Sequence, residues 1–297
     1  MRYPISARLW WPTVVGGAIF LIELLLLHAQ LIARVTLFAP LVIVPRLLGM
    51  TGDDRSVARL AGWPSLVAAV PLVFAFGLPA GVPAALLSVP WLALCAAAAL
   101  LAAWHAIPLL PRLLDRGILA DAGVDAACGF LAVGSAFLAA DRLGIHPLGF
   151  STTIILLTGT HFHVAAFGLL LLTALLARRR PWLNASVVGL VVGFPITAAG
   201  FVLSSDLIGA VGALVVGAAG IGTGVAWWSD GGYSLEAWTK RIAGVALLAG
   251  MALGIAWSWS VVFGIGFIGL DLMVRTHGAL NAGAVLLASL LGRWDRA

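Results

Sequence analysis

Glu23, His161, His163 and His277 stand inside apolar stretches of a 297-residue chain, where titratable side chains are costly and seldom kept for packing alone. A carboxylate with imidazoles can give and take protons near neutral pH, so this set suits acid/base catalysis and proton-coupled transport equally. His277 and Asn281 are four residues apart and share one helical face. Asp271 and Arg275 have the same spacing and can pair, positioning a substrate or shielding each other from lipid. Thr158 and Thr160 lead into the two central histidines as Thr158-Gly-Thr-His-Phe-His163. Trp257 and Trp259, with Phe263 and Phe267 nearby, offer an aromatic wall for an apolar substrate or a cationic intermediate. The same aromatics also suit plain packing at a membrane interface.

Metal chemistry fits this pattern less well. In a regular helix positions i and i+2 point about 200° apart, so His161 and His163 share an ion only if the helix breaks at Gly159. A haem or metal held between His163 and His277 is a minor reading, and no metal or cofactor is expected. The spacings of membrane zinc peptidases, phosphate loops, dinucleotide fingerprints and nucleophile elbows are all missing.

The elements that must carry these residues follow from composition. The chain is 62% hydrophobic and 10% charged, with a mean hydropathy of +1.09, against roughly 25% charged residues in a soluble domain. Its apolar blocks match the span of a hydrocarbon core about 30 Å thick. The net charge of +5 comes from basic residues scattered between those blocks, not from a phosphate-binding stripe, so lipid rather than nucleic acid is the expected partner. Cys95 and Cys128 both fall in apolar blocks and imply no disulfide.

The expected fold is all-α: a polytopic transmembrane bundle of about ten helices forming a single integral membrane domain over 1–297. The candidate spans are 12–28, 30–48, 65–82, 86–109, 123–140, 150–177, 185–204, 208–228, 242–261 and 271–292. Glu23, His28, Gln30 and Arg34 interrupt the stretch 12–48, which reads as a tight helical hairpin, and its first part as a membrane helix and not a cleaved leader. With the N-terminus inside, every Lys and Arg but Arg34, Arg142 and Arg275 falls at the cytoplasmic side, as the positive-inside rule requires. Both termini are then cytoplasmic. This topology gathers the unusual polar residues in the outer half and leaves chiefly His105 at the inner side. His105, Arg142, His146 and Asp206 read as interfacial.

Three segments carry a family resemblance. Gly149-Phe-Ser-Thr-Thr-Ile-Ile-Leu-Leu-Thr-Gly-Thr-His-Phe-His-Val-Ala-Ala-Phe167 resembles the His-Phe-His segment of the bacterial YndJ-like membrane proteins. Thr276-His-Gly-Ala-Leu-Asn-Ala282 resembles their C-terminal His-Gly-x-x-Asn-Ala element, and Phe38-Ala-Pro-Leu-Val-Ile-Val-Pro45 their N-terminal block. Ala166 departs from the glycine usual there and leaves both histidines in place. The resemblance implies a multi-pass protein of the bacterial cytoplasmic membrane and a transport role.

The residues themselves favour a different function. A polar cluster confined to the outer half of an apolar, aromatic bundle points to an intramembrane enzyme. Its expected substrate is a lipophilic small molecule, terpenoid or polyketide-like, cyclised or isomerised by acid/base chemistry. Glu23 or a histidine would donate the proton and another imidazole accept it. The alternative is a proton-coupled secondary transporter using the same Glu/His cluster, a reading that inverted repeats and a site reachable from both faces would favour.

Overall fold

A hydrocarbon solvent offers the backbone no hydrogen bonds, so an apolar chain crossing it must satisfy its amides internally, and helices do so segment by segment. The computed structural model describes residues 5–26, 31–52, 55–112, 115–229 and 233–291, and among these it contains helices and no strand. The α-helices are α1 (Ile5–Leu26), α2 (Leu31–Thr36), α3 (Val44–Leu47), α4 (Trp63–Gly77), α5 (Val82–Ala106), α6 (Arg116–Leu143) and α7 (Thr152–His161). They continue as α8 (Leu170–Ala177), α9 (Asn184–Val202), α10 (Asp206–Trp228), α11 (Leu235–Val262), α12 (Leu270–Met273) and α13 (Ala279–Leu291). Among the described residues, six helical stretches are long and apolar enough to cross a membrane: Val82–Arg112, Gly117–Leu143, Thr152–Ala177, Pro181–Val202, Asp206–Trp228 and Leu235–Val262. Trp10–Leu26, Ala39–Met50 and Trp63–Gly77 are shorter apolar helices. The chain is therefore an all-α protein with membrane-spanning helices, although α4 ends at Gly77, before the end of the expected span 65–82.

Three π-helical stretches interrupt the α-helices: Ala39–Ile43, Phe162–Leu169 and Val274–Gly278. The first has a cause in the sequence. Pro40 has no N–H to give the ladder and its ring crowds the carbonyl four residues back, a conflict that a wider turn relieves. In the second, the Gly159 carbonyl accepts from the side chain of His163 as well as from the Phe162 N–H.

The contacts divide the chain into two compact units. In the first, residues 1–111 and 124–168, α1 packs on Ala39–Ile43 and α3, α4 packs on α5, and α2 packs on α7. Gly81, at φ 151°, opens α5 ahead of Pro83 and donates its N–H to the Arg142 carbonyl at 2.8 Å, joining the start of α5 to the end of α6. In the second unit, residues 112–123 and 169–297, α10 packs on both α9 and α11, and α13 packs on α11. Small residues allow this approach, as is usual between membrane helices: a Cβ on Gly200 would strike the backbone of Gly209, and one on Gly244 would come within 2.7 Å of the Gly224 carbonyl. Both cysteines are buried and free.

Candidate functional site

His163 lies in the π-helical stretch of the first unit, 1% exposed, against α5 and α6. Its Nδ1 sits 2.7 Å from the Gly159 carbonyl, which can only accept, so Nδ1 carries the proton. The indole of Trp91, which can only donate, then gives its Nε1–H to Nε2 at 3.0 Å. The two rings lie within 22° of one another with centroids 5.8 Å apart, the near-coplanar arrangement an in-plane hydrogen bond requires. Gly134 makes the room, since a Cβ there would come 2.6 Å from the ring. One tautomer is thus held with both nitrogens engaged. An imidazole so placed has no lone pair or proton to offer a substrate without first breaking a buried bond.

His161, two residues earlier, ends α7 with an exposed ring whose Nδ1 donates to the Leu157 carbonyl at 2.8 Å. The helix runs unbroken through Gly159, where a Cβ would strike Leu138, so the break that a shared ion would need is missing. Thr158 bonds its own helix at Ile154, while the Thr160 hydroxyl lies 2.8 Å from that of Thr36 and ties α7 to α2. Glu23 is buried near the end of α1. His28, Gln30 and the side chain of Arg34 lie outside the described residues.

A second cluster in the first unit joins two buried charged residues to His105. Asp125, in the first turn of the expected span 123–140, is 6% exposed. Its Oδ1 accepts from Arg55, itself buried, and its Oδ2 lies 2.9 Å from His105 Nδ1. A carboxylate only accepts, so His105 donates through Nδ1, and no described residue bonds its Nε2. The His105 side chain is 40% exposed and that of Asp125 5%. An imidazole expected at the interface is thus anchored to a buried carboxylate. The sequence offered one signal for this, an aspartate within an apolar helix; its partners 70 residues back and 20 back come only from the fold.

At the other end of α6, Arg142 is also no simple interface residue. It is 9% exposed, its Nε donates to Asp141 at 2.7 Å, its Nη1 donates to the Ala75 carbonyl at 3.3 Å, and its guanidinium lies 4.3 Å from the ring centroid of Phe76. An outer groove of about 390 Å³ between α5 and α6 is lined by aliphatic residues with Ser88.

The remaining candidates belong to the second unit. His277, in the π-helical stretch Val274–Gly278, donates through Nδ1 to the Gly250 carbonyl of α11 at 2.8 Å, and the Asn281 amide lies 3.1 Å from its Nε2. Glycines admit both side chains, since a Cβ on Gly254 would come 2.8 Å from the ring and one on Gly250 would strike the Asn281 amide. Asp271 accepts from Arg275 Nε at 2.8 Å, with side-chain exposures of 74% and 55%, so the pair is formed on the surface. Trp257 spends its indole N–H on the Ile268 carbonyl at 3.2 Å, and Trp259 lies against Phe263 with centroids 5.8 Å apart. Glu23, Thr158, Thr160, His161 and His163 therefore sit in one unit, and Trp257, Trp259, Asp271, Arg275, His277 and Asn281 in the other. Among the described residues no group of three His, Cys, Asp or Glu is placed to hold a metal ion.

The family model for YndJ-like proteins matches residues 34–285, most of the chain. The chain belongs to the YndJ-like family. No curated protein and no solved structure matches it. In this YndJ-like chain, the three segments that carry the resemblance, Phe38–Pro45, Gly149–Phe167 and Thr276–Ala282, each overlap one of the three π-helical stretches. Such stretches are frequent at functional sites.

Proposed function

We propose that the protein is a proton-coupled secondary transporter of a small molecule in the bacterial cytoplasmic membrane. The observation that carries this reading is the distribution of buried charge along α6. Asp125 with Arg55 and His105 lies near one end, and Asp141 with Arg142 near the other, sixteen residues on, or about 24 Å at 1.5 Å per residue. That is most of a hydrocarbon core about 30 Å thick. The enzyme reading drew on polarity confined to the outer half, and the positive-inside distribution of Lys and Arg sets the buried Asp125 cluster on the cytoplasmic side, which speaks for transport. Helices that turn π-helical within apolar stretches fit transport as well, because such turns are frequent at functional sites.

An intramembrane cyclase or isomerase for a lipophilic molecule needs an acid beside an apolar pocket. The groove between α5 and α6 is apolar, but no titratable residue lines it, and His163 has both nitrogens engaged. One experiment separates the two functions. Proteoliposomes carrying the full chain are given a small-molecule extract of bacterial cells under a pH gradient, and both compartments are followed by mass spectrometry. A compound that changes compartment without changing mass, only while the gradient lasts, supports the transporter. A compound that changes mass or retention with no gradient dependence overturns it in favour of the enzyme, and an extract unchanged in both respects also counts against it.

A further inference from the structure

His105 and His163 differ in one decisive respect: the free nitrogen of His105 faces no protein partner among the described residues. Its other nitrogen is held at 2.9 Å by Asp125, a carboxylate whose second oxygen is taken by Arg55. In this arrangement a buried carboxylate orients an imidazole and stabilises the imidazolium when it forms, on a side chain that is 40% exposed. Arg59 is exposed on the 3-10 turn Ser56–Leu60 that packs against α5, and the Cys128 thiol lies one turn beyond Asp125 on α6, fully buried. Asp121, one turn before Asp125, is engaged instead with Arg178 at 2.7 Å.

The geometry points to His105 as a proton-exchange site at the cytoplasmic end of the first unit, oriented by Asp125. Nε2 takes one proton from cytoplasmic water and releases it there again, Nδ1 keeps its own, and the imidazolium is held against Asp125, whose other oxygen stays with Arg55. The ligand of this site is the proton, with no further reactant. The inference rests on the proton-coupled reading for its purpose and on the Positive-inside distribution of Lys and Arg for its side, but binding itself needs no cargo. A purely structural ion network is the competing explanation, and it predicts that any cation able to pair with Asp125 can replace the ring.

The test therefore uses His105→Lys beside His105→Gln. Purified full-length protein in liposomes on a solid-supported membrane is stepped from about pH 8 to about pH 6, and the displaced charge is recorded without cargo. The native protein and His146→Gln are expected to give the same displacement, and both His105 variants one at least about twofold smaller, because neither side chain gains or loses a proton in that interval. Native-sized displacement in His105→Lys and His105→Gln overturns the proposal and leaves His105 as a structural tie. A second measurement needs no variant. Diethyl pyrocarbonate reacts with unprotonated imidazole, so peptide mass spectrometry of the native protein should show modification of His105 rising with pH while His163 stays unmodified. An unreactive His105, or one whose rate is flat with pH, overturns the inference. Failure of the transport assay with a pH-dependent His105 would overturn the transporter and leave this site standing.

Discussion

His163 and His105 are built from the same parts and do opposite things. Each donates through Nδ1 to an oxygen within its own unit, Gly159 for the first and Asp125 for the second. At His163 the second nitrogen is closed off by Trp91 and the residue is 1% exposed; at His105 the second nitrogen has no described partner and the side chain is 40% exposed. The comparison teaches that a histidine in an apolar span is not by itself a site. Two engaged nitrogens make a tie between helices, and one engaged nitrogen makes an oriented base.

The largest expected effect tests the polar side of this contrast. Arg55→Ala leaves a buried carboxylate with only a half-exposed ring for company, and should destabilise the protein by about 3–5 kcal/mol in denaturation measurements in detergent; a loss under about 1 kcal/mol would show that Asp125 is already neutral or hydrated and break the comparison. His163→Ala removes a buried ring and strands the Trp91 N–H, for a cost of about 2–4 kcal/mol. Its sharper consequence is a pH-step charge displacement equal to that of the native protein, and a reduced displacement in a folded variant would return His163 to the chemistry. Gly134→Ala pushes a methyl group to within 2.6 Å of the His163 ring and should cost about 1–3 kcal/mol by forcing the ring off its partners, read as a lowered melting temperature and a changed Trp91 fluorescence. Smallest of all, Asp271→Ala on the exposed pair with Arg275 should change stability by less than about 1 kcal/mol, and a larger loss would mean that this surface is covered in the membrane.

Much of the candidate site was legible as residues and little of it as geometry. The pairing of Asp271 with Arg275 and the closeness of His277 to Asn281 follow from a four-residue spacing, because helical neighbours recur on that period. The π-helical turn at Ala39–Ile43 was half legible, through Pro40. That at Phe162–Leu169 was not, because the His163 ring within it is placed by Trp91 and Gly134 of other helices. Arg55 was counted as a topology signal and Arg142 as an external loop residue; both are buried against aspartates. Nothing local distinguishes a loop arginine that faces water from one that turns inward.

The sequence by itself determined that the chain is helical, that it crosses a membrane and that it is YndJ-like. Hydrophobicity over a span's length and a few motif segments are local properties, and lipid leaves an apolar segment no alternative to the helix. Only the tertiary structure decided which histidine is sealed and which is open, and that Asp125 has partners at all. Those outcomes depend on contacts between residues 20 to 72 positions apart, and a hydrogen bond buried in a low-dielectric interior is specified by both of its ends at once.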